Sequence, residues 1–243
     1  MPLTFAHPAA ILPAKYLPKK WYSWTALIVG SVVPDFEAFI KLGGEKKFSH
    51  SWVGMFGFDL PVGIVLMILF HVVVRDAVID QFPSFFYKRF CILKKTDWIH
   101  NFKERYAVII ISLLVGIATH LIWDRLTHTD TYTYYQKAGI YLGDKSEEVR
   151  RWLQWLSSFV GLILLFWQIA VLPVHNDIPR KKWSNFLPVV VTVALLIFIL
   201  RAFFPYIGDD MINTSIGAVL WGIIVACYIV YRRRTRLKEN LDR

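Results

Sequence analysis

From Phe186 to Leu200 the chain carries no charged side chain, and the first to follow is Arg201. A helix on the surface of a soluble domain turns a polar face outward every turn. This stretch has almost none to turn. Together with its flanks (about 185–204) it is one of five such runs, the others being about 53–74, 106–128, 152–174 and 211–231. Each is close to the roughly 20 residues that a bilayer core requires. Apolar residues make up 56% of the chain and charged residues only 19%, with a mean hydropathy of +0.43. In lipid the backbone must satisfy its own hydrogen bonds, so such runs become helices. The expectation is an all-α polytopic membrane bundle of about five full spans. No run has the basic start, short apolar stretch and small-residue cleavage site of a signal peptide, so insertion is expected to be driven by the spans themselves.

The first 37 residues differ in kind. Pro2, Pro8, Pro13 and Pro18 forbid one long helix. The apolar run Trp21–Val33 ends at Pro34-Asp35-Phe36-Glu37 and as helix rises only about 20 Å. Residues 8–37 therefore read as a shorter re-entrant helical hairpin, with a conventional first span as the competing reading. Broken backbone survives at membrane depth only where it packs in protein or lines a wet cavity.

Alternating spans place segments 75–105, 175–183 and 232–243 on one side with sixteen Lys and Arg, against ten on the other. The positive-inside rule puts the first set in the cytoplasm, including the tail Arg232-Arg233-Arg234-Thr235-Arg236. The net charge of +10 then orients the chain or meets anionic lipid, and nucleic acid is not expected as a partner. Residues 75–105 mix aromatics with bases, as an amphipathic segment lying on the inner leaflet would.

Chemistry concentrates on the opposite face. His120, Asp124 and His128 lie at i, i+4 and i+8, so they line one stripe of a helix. His and Asp are donors that Zn²⁺-type cations take, and ionisable groups at membrane depth mark a functional site by default. Asp35 and Glu37 end the hairpin on that side, His50 opens the next span there, and His7 joins them if the hairpin holds. The competing readings are a non-metal polar network on the stripe and an exposed turn at Asp35 and Glu37. Asp59, inside an apolar span, is open to three roles: metal ligand, base or partner of Arg125. His71 sits about 18 Å along the helix from Asp59 and reads as structural, while His100 and His175 read as interfacial. With Cys91 and Cys227 far apart in sequence, neither a disulfide framework nor a Cys-based zinc knuckle is plausible. No glycine-rich phosphate loop, nucleophile elbow or internal repeat is evident. Residues 1–150 thus read as a metal-site region and 151–243 as a three-span membrane region, the two forming one continuous structural unit.

Phe5-Ala6-His7-Pro8-Ala9, Gly30-Ser31-Val32-Val33-Pro34-Asp35-Phe36-Glu37, Ser49-His50-Ser51 and Thr119-His120-Leu121-Ile122-Trp123-Asp124-Arg125-Leu126-Thr127 follow in that order. Over nearly its whole length the chain resembles a family of bacterial integral-membrane proteins of unknown function. Over about residues 1–130 it also resembles the YdjM-like membrane-bound metal-dependent hydrolases. Two departures stand out: His128 where that pattern usually has Pro, and Glu37 where it often has Asp.

The resemblance implies a multi-pass protein of the bacterial cytoplasmic (inner) membrane. It also implies a divalent metal, Zn²⁺ first among them, held by His7, Asp35, His50, His120 and Asp124, to which the i+8 spacing alone adds His128. Glu37 or Asp59 would then orient a ligand or accept a proton from water. A site at the lipid–water boundary suits an ester or phosphoester of a lipid or lipid-linked substrate. The alternative is a non-catalytic membrane protein with a structural metal site or an ion or proton path.

Overall fold

The computed structural model describes residues 3–43, 48–127, 146–203 and 211–241. Among them every regular element is helical and no strand occurs. A 3-10 element, Thr4–Tyr16, comes first. After it come α1 (Trp24–Val32), α2 (Phe36–Lys41), α3 (Trp52–Gln81), α4 (Ser84–Phe90), α5 (Trp98–Thr127), α6 (Ser146–Ala170), α7 (Phe186–Ala202) and α8 (Met211–Leu241).

Among the described residues, four helices are long and apolar enough to cross a membrane: Trp52–Gln81, Trp98–Thr127, Glu148–Ala170 and Met211–Leu237. Several such helices fit a membrane protein. The remaining apolar run forms a shorter helix, Phe186–Arg201, which rises about 24 Å. The long helices overrun their apolar stretches because hydropathy marks only the part that suits lipid. α3 continues through Arg75 to Gln81, and α5 already starts at Trp98. α3 also contains two wide turns, Met55–Asp59 and Phe70–Val74, where the hydrogen bonds skip an extra residue.

The chain divides into two compact units, each drawn from three stretches of sequence. One comprises Met1–Asp35, Lys47–Ile64 and Phe102–Val171; the other comprises Phe36–Lys46, Val65–Asn101 and Leu172–Arg243.

In the first unit, Pro8 and Pro13 lie within the opening 3-10 element. Leu17 is extended, and Pro18 precedes a further turn at Lys19–Trp21. The Ser23 side chain caps α1 by accepting from the Ala26 amide. α1 then packs against the 3-10 element, with Ile11, Tyr22 and Leu27 buried together. The Arg105 guanidinium donates to the carbonyls of Lys19, Lys20 and Tyr22 at 3.0 to 3.3 Å. Arg105 itself leaves helical geometry (φ −130°, ψ 27°), so α5 kinks there.

Beyond the kink, α1 and α5 touch backbone to backbone. A Cβ on Gly30 would lie 2.3 Å from the Leu113 carbonyl oxygen, and one on Gly116 2.4 Å from that of Leu27. Only glycine fits at this crossing. α6 lies along the 3-10 element, and Lys15 Nζ reaches Gln168 Oε1 at 3.2 Å.

In the second unit α7 packs along α8, with Phe186, Val190, Ala226, Cys227 and Val230 gathered around Ala77. α2 rests on α8, where Thr214 donates to the Leu42 carbonyl at 2.7 Å. Asp80, 1% exposed, accepts from Lys94 at 2.7 Å and from Arg234 at 2.8 Å. Arg180 donates to the backbone carbonyl of Asp80 at 2.9 Å. The three basic segments that span alternation assigns to one side thus converge on a single aspartate.

Candidate metal centre

All the parts of the site belong to the first unit. Pro34 and Asp35 end α1 in a tight 3-10 turn, which fixes Asp35 at its tip. His50 directly precedes Ser51, whose side chain caps α3 by accepting from the Gly54 amide at 2.9 Å. His120 and Asp124 sit one turn apart on α5. His7 comes from the opening 3-10 element.

Asp35, His50, His120 and Asp124 each offer a ligand atom, and these four atoms lie within 4.8 Å of one another. Asp124 Oδ2 is 3.3 Å from His50 Nε2 and 3.4 Å from His120 Nε2. Asp35 Oδ1 is 3.6 Å from His50 Nε2 and 3.9 Å from His120 Nε2. Donors at 2.0–2.2 Å from a tetrahedral cation stand about 3.3–3.6 Å apart. The spacing suits donors around one ion better than direct hydrogen bonds, whose N···O mode is about 2.9–3.0 Å. Burial is nearly complete, with His120 0% and Asp35 3% exposed; the His50 side chain, at 22%, is the accessible edge.

The outer contacts decide which atoms face inward. His120 Nδ1 lies 2.8 Å from the Ser31 carbonyl. A carbonyl only accepts, so Nδ1 carries the proton and the other nitrogen turns to the carboxylates. His50 Nδ1 meets the Ser49 hydroxyl at 3.0 Å. The Thr4 hydroxyl donates to Asp35 Oδ2, leaving Oδ1 to the cluster. Metal-bound imidazoles and carboxylates are held by outer partners in this manner.

His7 lies against this group. Its ring stacks on that of His120, with centroids 3.9 Å apart and planes 19° from parallel, and its Nε2 is 3.5 Å from Asp124 Oδ1. Burial, and after it the neighbouring His120, push the His7 imidazole down to about 3. At neutral pH it is an uncharged ring with a lone pair to give.

The structure thus brings together His7, Asp35, His50, His120 and Asp124. His128 lies outside the described residues. Asp59 is fully buried in the wide turn of α3 that packs on Val33–Asp35. Arg125, its partner in one reading of the sequence, is exposed and sits over the Trp52 ring at 5.1 Å. Glu37 belongs to the second unit, where its carboxylate pairs with Lys41. His71 is also in that unit, stacked on Trp98 at 4.7 Å. Substituting it with alanine is expected to leave metal content unchanged in elemental analysis; loss of metal would place the centre elsewhere.

The sequence reading missed Thr4 and Ser31. A 3-10 helix has three residues per turn, so Thr4 and His7 share a face, a signal legible once the proline-rich stretch is read as 3-10. Ser31 acts through its backbone carbonyl, which no side-chain pattern reports.

Apolar helices of membrane-spanning length and a buried cluster of imidazoles and carboxylates indicate the class: the described residues are all-helical, fit a membrane protein and include a site that could hold a metal ion. A family model described as "Domain of unknown function (DUF4184)" matches residues 1–231, and the chain belongs to that family. No curated protein and no solved structure matches it.

Proposed function

We propose that this protein is a membrane-bound metal-dependent hydrolase acting on an ester or phosphoester of a lipid or lipid-linked substrate. The observation that carries this reading is the orientation of two imidazoles. Ser31 and Ser49 engage the outer nitrogens of His120 and His50, while their inner nitrogens face Asp35 and Asp124. Two carboxylates and two imidazole nitrogens so directed make a site for a divalent cation, Zn²⁺ first among the candidates. A bound Zn²⁺ lowers the pKa of water towards about 7 and polarises a phosphoryl or carbonyl oxygen. The likeness to the YdjM-like hydrolases, carried by the sequence motifs alone, points the same way.

Asp35, His50, His120 and Asp124 hold the cation in this reading, and His7 stands beside them. Asp59 is better placed than Glu37 to accept a proton, since it shares a unit with the cluster and Glu37 is engaged by Lys41. The partly exposed His50 leaves a way in for substrate and favours catalysis over a sealed structural site. Positive-inside counting puts the centre at the non-cytoplasmic face of a bacterial inner membrane, with the basic C-terminal tail in the cytoplasm. The N-terminal elements make the re-entrant hairpin, and α7 with its flanks makes the fifth crossing.

Detergent-purified protein is expected to carry stoichiometric divalent metal, which His120→Ala loses. It should also release product from phospholipid or lipid-linked phosphate in a chelator-sensitive way. Metal without any such turnover would favour the structural alternative. Ser49→Ala removes an outer partner of His50, so it should weaken metal affinity by about 10–100-fold while the fold persists. Unaltered affinity in a metal titration would show that the Ser49–His50 contact does not orient the ring.

A further inference from the structure

The two oxygens of Asp124 face different histidines. Oδ2 looks at His50 and His120, which share the cluster with Asp35. Oδ1 looks at His7 Nε2, 3.5 Å away. That nitrogen is buried and makes no hydrogen bond, an arrangement that costs free energy unless something else satisfies it. The His7 and His120 rings are nearly parallel at 3.9 Å. Two stacked imidazoles, each turned to a different oxygen of one carboxylate, set their lone pairs on neighbouring positions at about the ring spacing. Metal ions in two-metal hydrolytic sites stand about 3.5–4 Å apart.

We infer that the centre takes two divalent cations, with Asp124 as the bridging carboxylate. The first is the ion of the function proposed above, on which this inference rests. The second is bound by His7 Nε2 and Asp124 Oδ1, its remaining positions left to water and substrate oxygens. A pair so arranged can clamp the attacking and leaving oxygens of an in-line displacement, the geometry that a phosphoester requires. His7 is then a ligand of the ion with fewer protein donors, and the four-residue cluster with its accessible His50 edge holds the other.

Mn²⁺ makes the test direct, because two ions at this separation are magnetically coupled and one alone is not. Full-length protein in detergent, stripped with chelator and titrated with Mn²⁺, is expected to bind two ions per chain and give a coupled spectrum. His7→Gln should bind one ion and give the signal of isolated Mn²⁺, and His120→Ala should disrupt the first site. A wild-type protein that binds a single uncoupled ion overturns the second site and leaves the hydrolase reading standing. A wild-type protein that binds none overturns that reading as well. Two coupled ions in His7→Gln also overturn the assignment. If His7→Gln binds no metal at all, His7→Asp decides: return of two ions supports the site, and one or none overturns it.

Discussion

Asp124→Ala is expected to empty the centre and to lower stability by about 3–5 kcal/mol, the scale of breaking a buried charged arrangement. Asp124 touches every histidine of the group: His7, His50 and His120 at 3.5, 3.3 and 3.4 Å. Its removal leaves three imidazoles facing one another with a single carboxylate, Asp35, to balance a cation. Loss of a supporting partner costs 10–100-fold in affinity, so loss of a ligand should exceed that. Metal binding and folding are linked wherever the site forms only in the folded chain, and the melting temperature should therefore fall with metal content. Stoichiometric metal in purified Asp124→Ala would defeat the assignment, whatever happened to turnover.

Gly116→Val is expected to produce the next largest effect, although the residue bears no functional group. A Cβ there would lie 2.4 Å from the Leu27 carbonyl oxygen. Backbone cannot swing aside as a side chain can, so α1 must move away from α5. Overpacking costs about 1–3 kcal/mol, and a bulky branched side chain against backbone belongs at the upper end. The displacement should also draw the Ser31 carbonyl away from His120, loosening metal by about 10–100-fold. Thermal melts with and without chelator separate the two effects: the overall stability drops, and the gap between loaded and stripped protein narrows. Gly57→Ala is the control, since its Cβ would meet only the Phe48 ring, at 3.1 Å. It is expected to cost under about 1 kcal/mol.

The features legible in the sequence are those that repeat with a helical period. The apolar runs announce the long helices, and the four-residue step from His120 to Asp124 puts both on one face of α5. The gathering of Asp35 and His50 beside them is what counting alternate sides of a membrane led one to expect, and that counting needs no three-dimensional detail. The rest depends on contacts between segments distant in sequence. The α5 kink at Arg105 comes from carbonyls some eighty positions earlier. The pairing of Glu37 with Lys41 is an ordinary i,i+4 contact, but its place in the second unit follows from α2 packing on α8. Asp80 gives no sign in the sequence that Lys94, Arg180 and Arg234 will meet at it.

The stacked pair of His7 and His120 has a consequence for how the protein is made. More than a hundred residues separate the two rings, so a ribosome must have delivered α5 before the His7 ring can stack on that of His120. Closing so long a loop carries a chain-entropy cost, and a cation held from both ends, as in the function proposed above, would offset it as a crosslink does. Metal supply would then govern how quickly the nascent chain escapes quality control, and starvation for the ion should appear first as shortened protein lifetime.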